Sequence, residues 1–397
     1  MKKIIILISF YTLFIQCRTE AIQTKKKVYG YIADSAMVVS AREEASNIGV
    51  NIMKQGGNAF DAMIATDLAL VVSYPFAGNL GGGGFMVYRL KNGSIGSIDY
   101  REKAPLASTR NMYLDEQGNV IKDKSTLGAM AIGIPGTVAG LFEVHNKFGS
   151  MPFEKLIQPA IDLAEKGVVV TEKQAKRFAH YRHLFAKANK RTIFLDKEWK
   201  AGDTIKFSAL ATTLKRIQHN GRNEFYTGET ADQLVEYVMS LGGIITKEDL
   251  AKYEAVWRDP ITFTYDGNKI ISMSPPSSGG ICIAQILKSV EPYGIQQYKH
   301  NSLKYIQLIT EAERRAYADR SHYLGDPDFV DIPIDSLISE LYLSDRMSDF
   351  NWDNATKSSE ISYGSINGYE SNETTHYSII DKFGNAVSVT TTLNGAY

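Results

Sequence analysis

Thr374 is the residue of this chain best placed to do chemistry without a side-chain partner. It stands where a polar stretch, residues 351–373, rich in Ser, Asn, Gly and Glu, gives way to Thr374-Thr375-His376-Tyr377-Ser378-Ile379-Ile380. A threonine in that setting can attack the carbonyl of Glu373, pass through an ester, and emerge after hydrolysis as a new N-terminus whose α-amine is its own general base. That amine has a reference pKa of roughly 7.7–8.0, so a useful fraction is neutral near pH 7. Glu373-Thr374 is therefore the candidate cleavage site and Thr374 the candidate nucleophile.

The elements that must hold Thr374 read as a β-hairpin. Side chains alternate over residues 375–380, with Thr375, Tyr377 and Ile379 on one face, and alternate again over residues 386–392 with many β-branched residues. Between the runs, Asp381-Lys382-Phe383-Gly384-Asn385 offers Gly384 for the left-handed position of a type I turn closed by a bulge. If Asp381 faces Asn385, the register puts Thr374 opposite Thr392 and brings two hydroxyls together at the open end. On the pattern alone, Thr-rich strands of an ordinary sheet account for the same residues, because Thr favours strands anyway.

The bulk of the chain bounds the function. At 397 residues, 44% hydrophobic and 22% charged, it can bury a large core, and equal counts of 44 for Lys plus Arg and for Asp plus Glu leave no electrostatic footprint for nucleic acid or anionic membrane. Two cysteines, Cys17 and Cys282, exclude a disulfide framework. Met1-Lys2-Lys3 followed by an apolar run over residues 4–15 reads as a signal peptide, residues 1–17, and is too short for a comfortable membrane span. Cys17 falls where a lipoprotein signal would place a lipidated cysteine, although Gln16 is larger than the small residue usually wanted there. Export to the periplasmic or extracellular side, with or without a lipid anchor at Cys17, is the expectation.

Helical signals begin at Arg42-Glu43-Glu44-Ala45 and again at Asn58-Ala59-Phe60-Asp61-Ala62-Met63, separated by Gly56-Gly57. The cluster Ala77-Gly78-Asn79-Leu80-Gly81-Gly82-Gly83-Gly84-Phe85 lacks the Lys-Ser/Thr ending of a phosphate loop, so its glycines read as sites of close backbone approach, and no nucleotide cofactor is implied. Phe85 begins a strand, and residues 97–105 read as a strand ending near Pro105. Arg101 within it has the side chain that clamps a carboxylate through two parallel hydrogen bonds. Further helices are expected over residues 153–166, 230–240, 247–253 and 302–320. The basic, aromatic residues 181–190 read as a solvated helical face. Asp319, Asp326 and Asp328 have no His or Cys beside them and no calcium-loop spacing, so they read as turn residues.

Ser371-Asn372-Glu373-Thr374-Thr375-His376-Tyr377-Ser378, with Asp381-Lys382-Phe383-Gly384-Asn385-Ala386-Val387 behind it, closely resembles the processing site of γ-glutamyltranspeptidases, and the likeness extends over residues 38–394. The resemblance implies an α+β N-terminal-nucleophile hydrolase, an αββα sandwich of two stacked antiparallel sheets between helical layers. It implies a large subunit over residues 28–373 and a small one beginning at Thr374, residues 374–397 being only its start. In the family the first Thr of the Thr-Thr-His-Tyr run is the nucleophile, a threonine at the position of Thr392 hydrogen-bonds it, and the arginine at the position of Arg101 binds the α-carboxylate of the γ-glutamyl group. Asn394, two residues beyond Thr392, is the expected substrate contact. The implied reaction cleaves glutathione and related γ-glutamyl compounds and passes the acyl group to water or to amino acid or peptide acceptors, without cofactor. The family's tandem-glycine oxyanion hole and paired serines do not occur before Tyr397. The alternatives are an amidohydrolase similar to cephalosporin acylases and a catalytically inactive, truncated extracytoplasmic protein.

Overall fold

The computed structural model describes residues 30–362 and 374–393, and of Thr374 the backbone only. The chain divides into two compact units, Met1–Asp34 and Ser35–Tyr397. Of the first, residues 30–34 are described and none lies in a helix or strand. The expected signal peptide, Cys17, Glu373 and Asn394 lie outside the described residues.

In the second unit the described strands are β1 (Met37–Val39), β2 (Gly83–Arg89), β3 (Ile95–Asp99), β4 (Val168–Val169), β5 (Thr204–Ile205), β6 (Val256–Arg258), β7 (Ile261–Tyr265), β8 (Asn268–Ser272), β9 (Thr374–Ile380) and β10 (Ala386–Thr392). Six of them form one antiparallel sheet in the order β1-β9-β10-β2-β3-β6, while β4-β5 and β7-β8 are separate pairs. Because side chains alternate along a strand, the sheet has one dry face. Tyr377, Ile379, Val387, Val389, Met86, Tyr88, Ile98 and Tyr100 are buried on it. Against that face pack α1 (Glu43–Lys54), α2 (Ala59–Ser73) and α3 (Thr137–Phe148), α1 meeting β1, α2 meeting β9 and β10, and α3 meeting β2. On the other face His376, Ser378 and Ser388 are exposed.

α2 is the centre of the core, since all fifteen of its residues are buried. It starts with a capping box: the Asn58 side chain accepts from the N–H groups of Phe60 and Asp61, and Asp61 Oδ2 accepts from the Asn58 N–H at 2.9 Å. A cap of this kind contributes about 1 kcal/mol. It stops at Tyr74, where Pro75 disfavours helical backbone at the residue before it. Gly56-Gly57 separates α1 from α2 as expected, and the helices over residues 153–166, 229–240, 247–251 and 303–323 stand close to their expected positions.

Two readings change. The strand expected to run to Pro105 ends at Asp99: Tyr100 still hydrogen-bonds Gly84, but the Arg101 N–H turns back onto Asp99 Oδ1 at 3.0 Å, and Lys103 then forms only an isolated bridge with Ile134. Residues 272–280, whose Pro275-Pro276-Ser277-Ser278-Gly279-Gly280 reads from sequence as a turn-rich loop, already pass into a helix at Gly279. The α+β class is the one found. The described residues build one six-stranded sheet of the two stacked sheets that the resemblance implies.

Candidate active site

β9 and β10 form the expected hairpin in the expected register. Ala386 pairs with Ile380, Val389 with Tyr377, and Thr392 with Thr374. Gly384 adopts φ +87°, a conformation that costs glycine least. Asp381 ties the turn together: its Oδ1 accepts from the N–H groups of Phe383 and Asn385 at 2.9 Å, and its Oδ2 accepts from the Ala59 N–H at 3.1 Å. The turn is thereby docked on the N-terminus of α2, where a carboxylate is favoured.

The rung that holds Thr374 continues across the sheet. Thr392 pairs with Thr374 on one side and with Gly83 on the other. Tyr100 exchanges two backbone hydrogen bonds with Gly84, at 3.0 and 3.3 Å, which sets Arg101 beside Gly83. With strands about 4.8 Å apart, the backbones of Thr374 and Arg101 are separated by three strand spacings, or about 14 Å. Gly82 and Gly84 are needed at this end of the sheet, because a Cβ on either would collide with the carbonyl of Thr392 or of Thr390. The glycine run is thus a place of close backbone approach, as its sequence suggests.

Arg101 is held on several sides. Its guanidinium carbon lies 5.5 Å from the centroid of the Phe85 ring, and its Nε donates to Glu102 Oε2 at 3.3 Å. Its carbonyl accepts from the Tyr253 hydroxyl at 2.7 Å, and its side chain keeps 38% exposure. Phe85 pairs with Thr390 in the ladder, so the guanidinium sits over the face of the sheet that also carries Thr392.

Asn79 is a site residue that the sequence reading passed over. Its Nδ2 donates to the carbonyls of Ala77 at 2.8 Å and Thr392 at 2.9 Å, and to Thr391 Oγ1 at 3.2 Å. Its Oδ1 accepts from the Gly82 N–H and from the Thr137 hydroxyl, both at 2.7 Å. The buried amide therefore fastens the end of β10 to the glycine run and to α3. A lone amide among apolar residues and glycines was the available signal. His376 is a second such residue. Its Nδ1 lies 2.9 Å from Thr390 Oγ1, and its Nε2 lies 3.1 Å from Ser388 Oγ and 3.3 Å from Ser378 Oγ. Desolvation lowers its pKa from the ordinary histidine value.

The acidic residues weighed as a cluster have structural partners. Asp328 binds Arg258 through both oxygens at 3.0 Å, Asp326 Oδ1 accepts from the Asp328 N–H, and Asp319 Oδ2 accepts from Gln285. Among the described residues no group of three or more His, Cys, Asp or Glu could hold a metal ion. A surface groove of about 760 Å³, lined by Arg42, Tyr74, Phe76, Gln174 and Arg177 among others, includes none of the row residues.

Comparison with known proteins bears on the family and the fold. A family model described as gamma-glutamyltranspeptidase matches residues 45–397. A glutathione hydrolase proenzyme of Escherichia coli is 47% identical over 369 residues, covering 92% of this chain and 64% of that protein. An acylase ACY 1 proenzyme of a Pseudomonas species is 34% identical, covering 91% of this chain and 66% of that protein. The gamma-glutamyltranspeptidase structure from Helicobacter pylori superposes with a TM-score of 0.82 at 41% identity, over 87% of this chain and 100% of that one. The chain spans about two thirds of the length of these curated relatives.

Proposed function

The chain belongs to the γ-glutamyltranspeptidase family and has its N-terminal-nucleophile hydrolase fold, and on that premise we propose that it carries the nucleophile and the carboxylate clamp of an exported, self-processing γ-glutamyl hydrolase and transferase. Glutathione and related γ-glutamyl compounds are its substrate class, and water or amino acid or peptide amines are its acceptors. The observation that carries this reading is the single row Thr374, Thr392 and Gly83 across β9, β10 and β2, continued by Arg101 just beyond the end of β3. Its span suits a glutamyl group with the γ-carbonyl at Thr374 and the α-carboxylate at the tip of an extended Arg101.

In this reading the precursor cuts itself between Glu373 and Thr374, giving a large and a small subunit. The Thr374 hydroxyl then attacks the γ-carbonyl while the α-amine of the same residue takes its proton and returns it to the leaving amine. The resulting γ-glutamyl ester is opened by water or by an acceptor amine, which restores the threonine. Thr392 aims the Thr374 hydroxyl, Arg101 binds the α-carboxylate through its planar fork, and Asn394 contacts the substrate. A relative named as an acylase keeps the second reading open, that of an amidohydrolase similar to cephalosporin acylases acting on the acyl side chains of β-lactams. Arg101 favours a substrate with a free carboxylate.

The test is processing. The full-length precursor is expected to cut itself with Thr374 as the new N-terminus, and Thr374→Ala is expected to stay a single polypeptide. N-terminal sequencing of the small fragment checks this. A fragment beginning at Thr375, or cleavage that persists in the alanine variant, removes Thr374 from the role, and a wild-type precursor that never cuts supports the inactive reading.

A further inference from the structure

β9 is supported unevenly. Its outer neighbour β1 pairs only with Ser378, Ile379 and Ile380, so from Thr374 to Tyr377 the described ladder has β10 on one side and no partner on the other. Strand ends with one neighbour fray first, and self-cleavage would turn this end into a chain terminus. Tyr377 is the first residue beyond the support of β1. Its hydroxyl donates to Asp67 Oδ2 at 2.7 Å, where Asp67 sits in α2, 310 residues away in sequence.

Asp67 is an unexpected residue at that position. Every residue of α2 is buried, and its other carboxylate, Asp61, is occupied at the helix start with Asn58, Ser150 and Met151. Asp67 is fully buried, and its Oδ1 has no hydrogen-bond partner among the described residues; the same is true of the Tyr100 hydroxyl. Buried polar groups with open valences are costly, and an apolar residue would pack there at less expense. A single directional bond is what Asp67 provides that leucine could not.

We propose that Asp67 is a positioning residue for the nucleophile: through Tyr377 it anchors the part of β9 beyond its pairing with β1 to α2 and so keeps Thr374 on its rung opposite Thr392. The inference rests on Thr374 being the nucleophile. It deepens that reading by placing a control of both self-cleavage and turnover on the dry side of the sheet, away from substrate.

The experiment measures self-cleavage half-time, turnover and thermal unfolding in the full-length precursor for wild type, Asp67→Asn, Asp67→Leu and Tyr377→Phe. Asp67→Asn keeps an acceptor for Tyr377 and is expected to stay within about threefold of wild type in both rates. Asp67→Leu and Tyr377→Phe lose the bond and are expected to slow both reactions about tenfold, while Asp67→Leu unfolds at the wild-type temperature or above. Slower reaction in a protein at least as stable separates positioning from a purely structural role, and rescue by Asn reinforces it. If Asp67→Leu fails to fold, Tyr377→Phe, which removes one oxygen, decides alone. Wild-type rates in Tyr377→Phe overturn the anchor, whereas a wild-type precursor that does not cut at Thr374 overturns the reading beneath it.

Discussion

In the proposed reading Arg101 owes its specificity to where its fork is held rather than to its charge. The Phe85 ring, 5.5 Å from the guanidinium carbon, and the Nε contact to Glu102 hold the group in place, and in that reading a substrate carboxylate meets two parallel donors. Lysine would keep the charge at that position and lose both the stacking geometry and the second donor. Arg101→Lys is therefore expected to raise KM for γ-glutamyl substrates about tenfold or more and to leave self-cleavage at its wild-type rate, because processing engages no free α-carboxylate. Steady-state kinetics on the variant, set beside its cleavage half-time, checks both halves. Unchanged kinetics would remove Arg101 from the substrate site.

At the scale of the element, the hairpin gives neighbouring threonines opposite duties. Thr391 is fully buried, accepts from Asn79 at 3.2 Å and lies 3.4 Å from the Gly83 carbonyl, whereas Thr392 takes the rung of Thr374. Thr391→Ala is expected to lower stability by about 1 kcal/mol, the usual worth of a buried hydrogen bond, with self-cleavage nearly unchanged. Thr392→Ala is expected to slow self-cleavage and turnover together, since a nucleophile whose base is its own amine has little else to fix its rotamer. Unfolding curves and rates on the two variants decide between them. A larger catalytic defect in Thr391→Ala would mean that the working face is the other one.

At the scale of the whole molecule, Asp67 makes stability depend on pH in the direction opposite to most carboxylates. Burial pushes its pKa up to about 7, against a hydrogen bond from Tyr377 that lowers it; Tyr377 and Tyr100 are the titratable groups facing it, and both stay neutral because burial raises their own pKa values well above the tyrosine range. A carboxyl with a folded pKa above its unfolded value of about 3.9 contributes stability that is fully present below pH 4 and is lost as pH rises to about 7. A shift of that size corresponds to a contribution on the order of 4 kcal/mol. Glu311, Glu224 and Asp249, hydrogen-bonded and held below the usual range, contribute in the other direction and lose stability as pH falls. Asp67→Asn leaves those groups in place. Its stability advantage over wild type is expected to grow between pH 4 and pH 7 and to level off above, as followed by thermal unfolding; a difference independent of pH would show that Asp67 does not titrate in that window.

What the sequence determined by itself was local. Alternation over residues 375–380 and 386–392, with a glycine that tolerates φ +87° between them, specified the hairpin and its register, because turn geometry and a period of two leave one pairing. Asn58, Asp61 and Pro75 marked the limits of α2 for the same reason, since caps and breakers act within a few residues. Tertiary structure decided everything that joins distant segments. The row linking Arg101 to Thr374 depends on β10 being inserted between β9 and β2. The Asn79 bond to the Thr392 carbonyl spans 313 residues, and the Asp67 bond to Tyr377 spans 310. A buried amide or carboxyl in an apolar stretch announces that some partner exists, because desolvation without one is too costly. Which partner it meets is settled only when the sheet closes over α2.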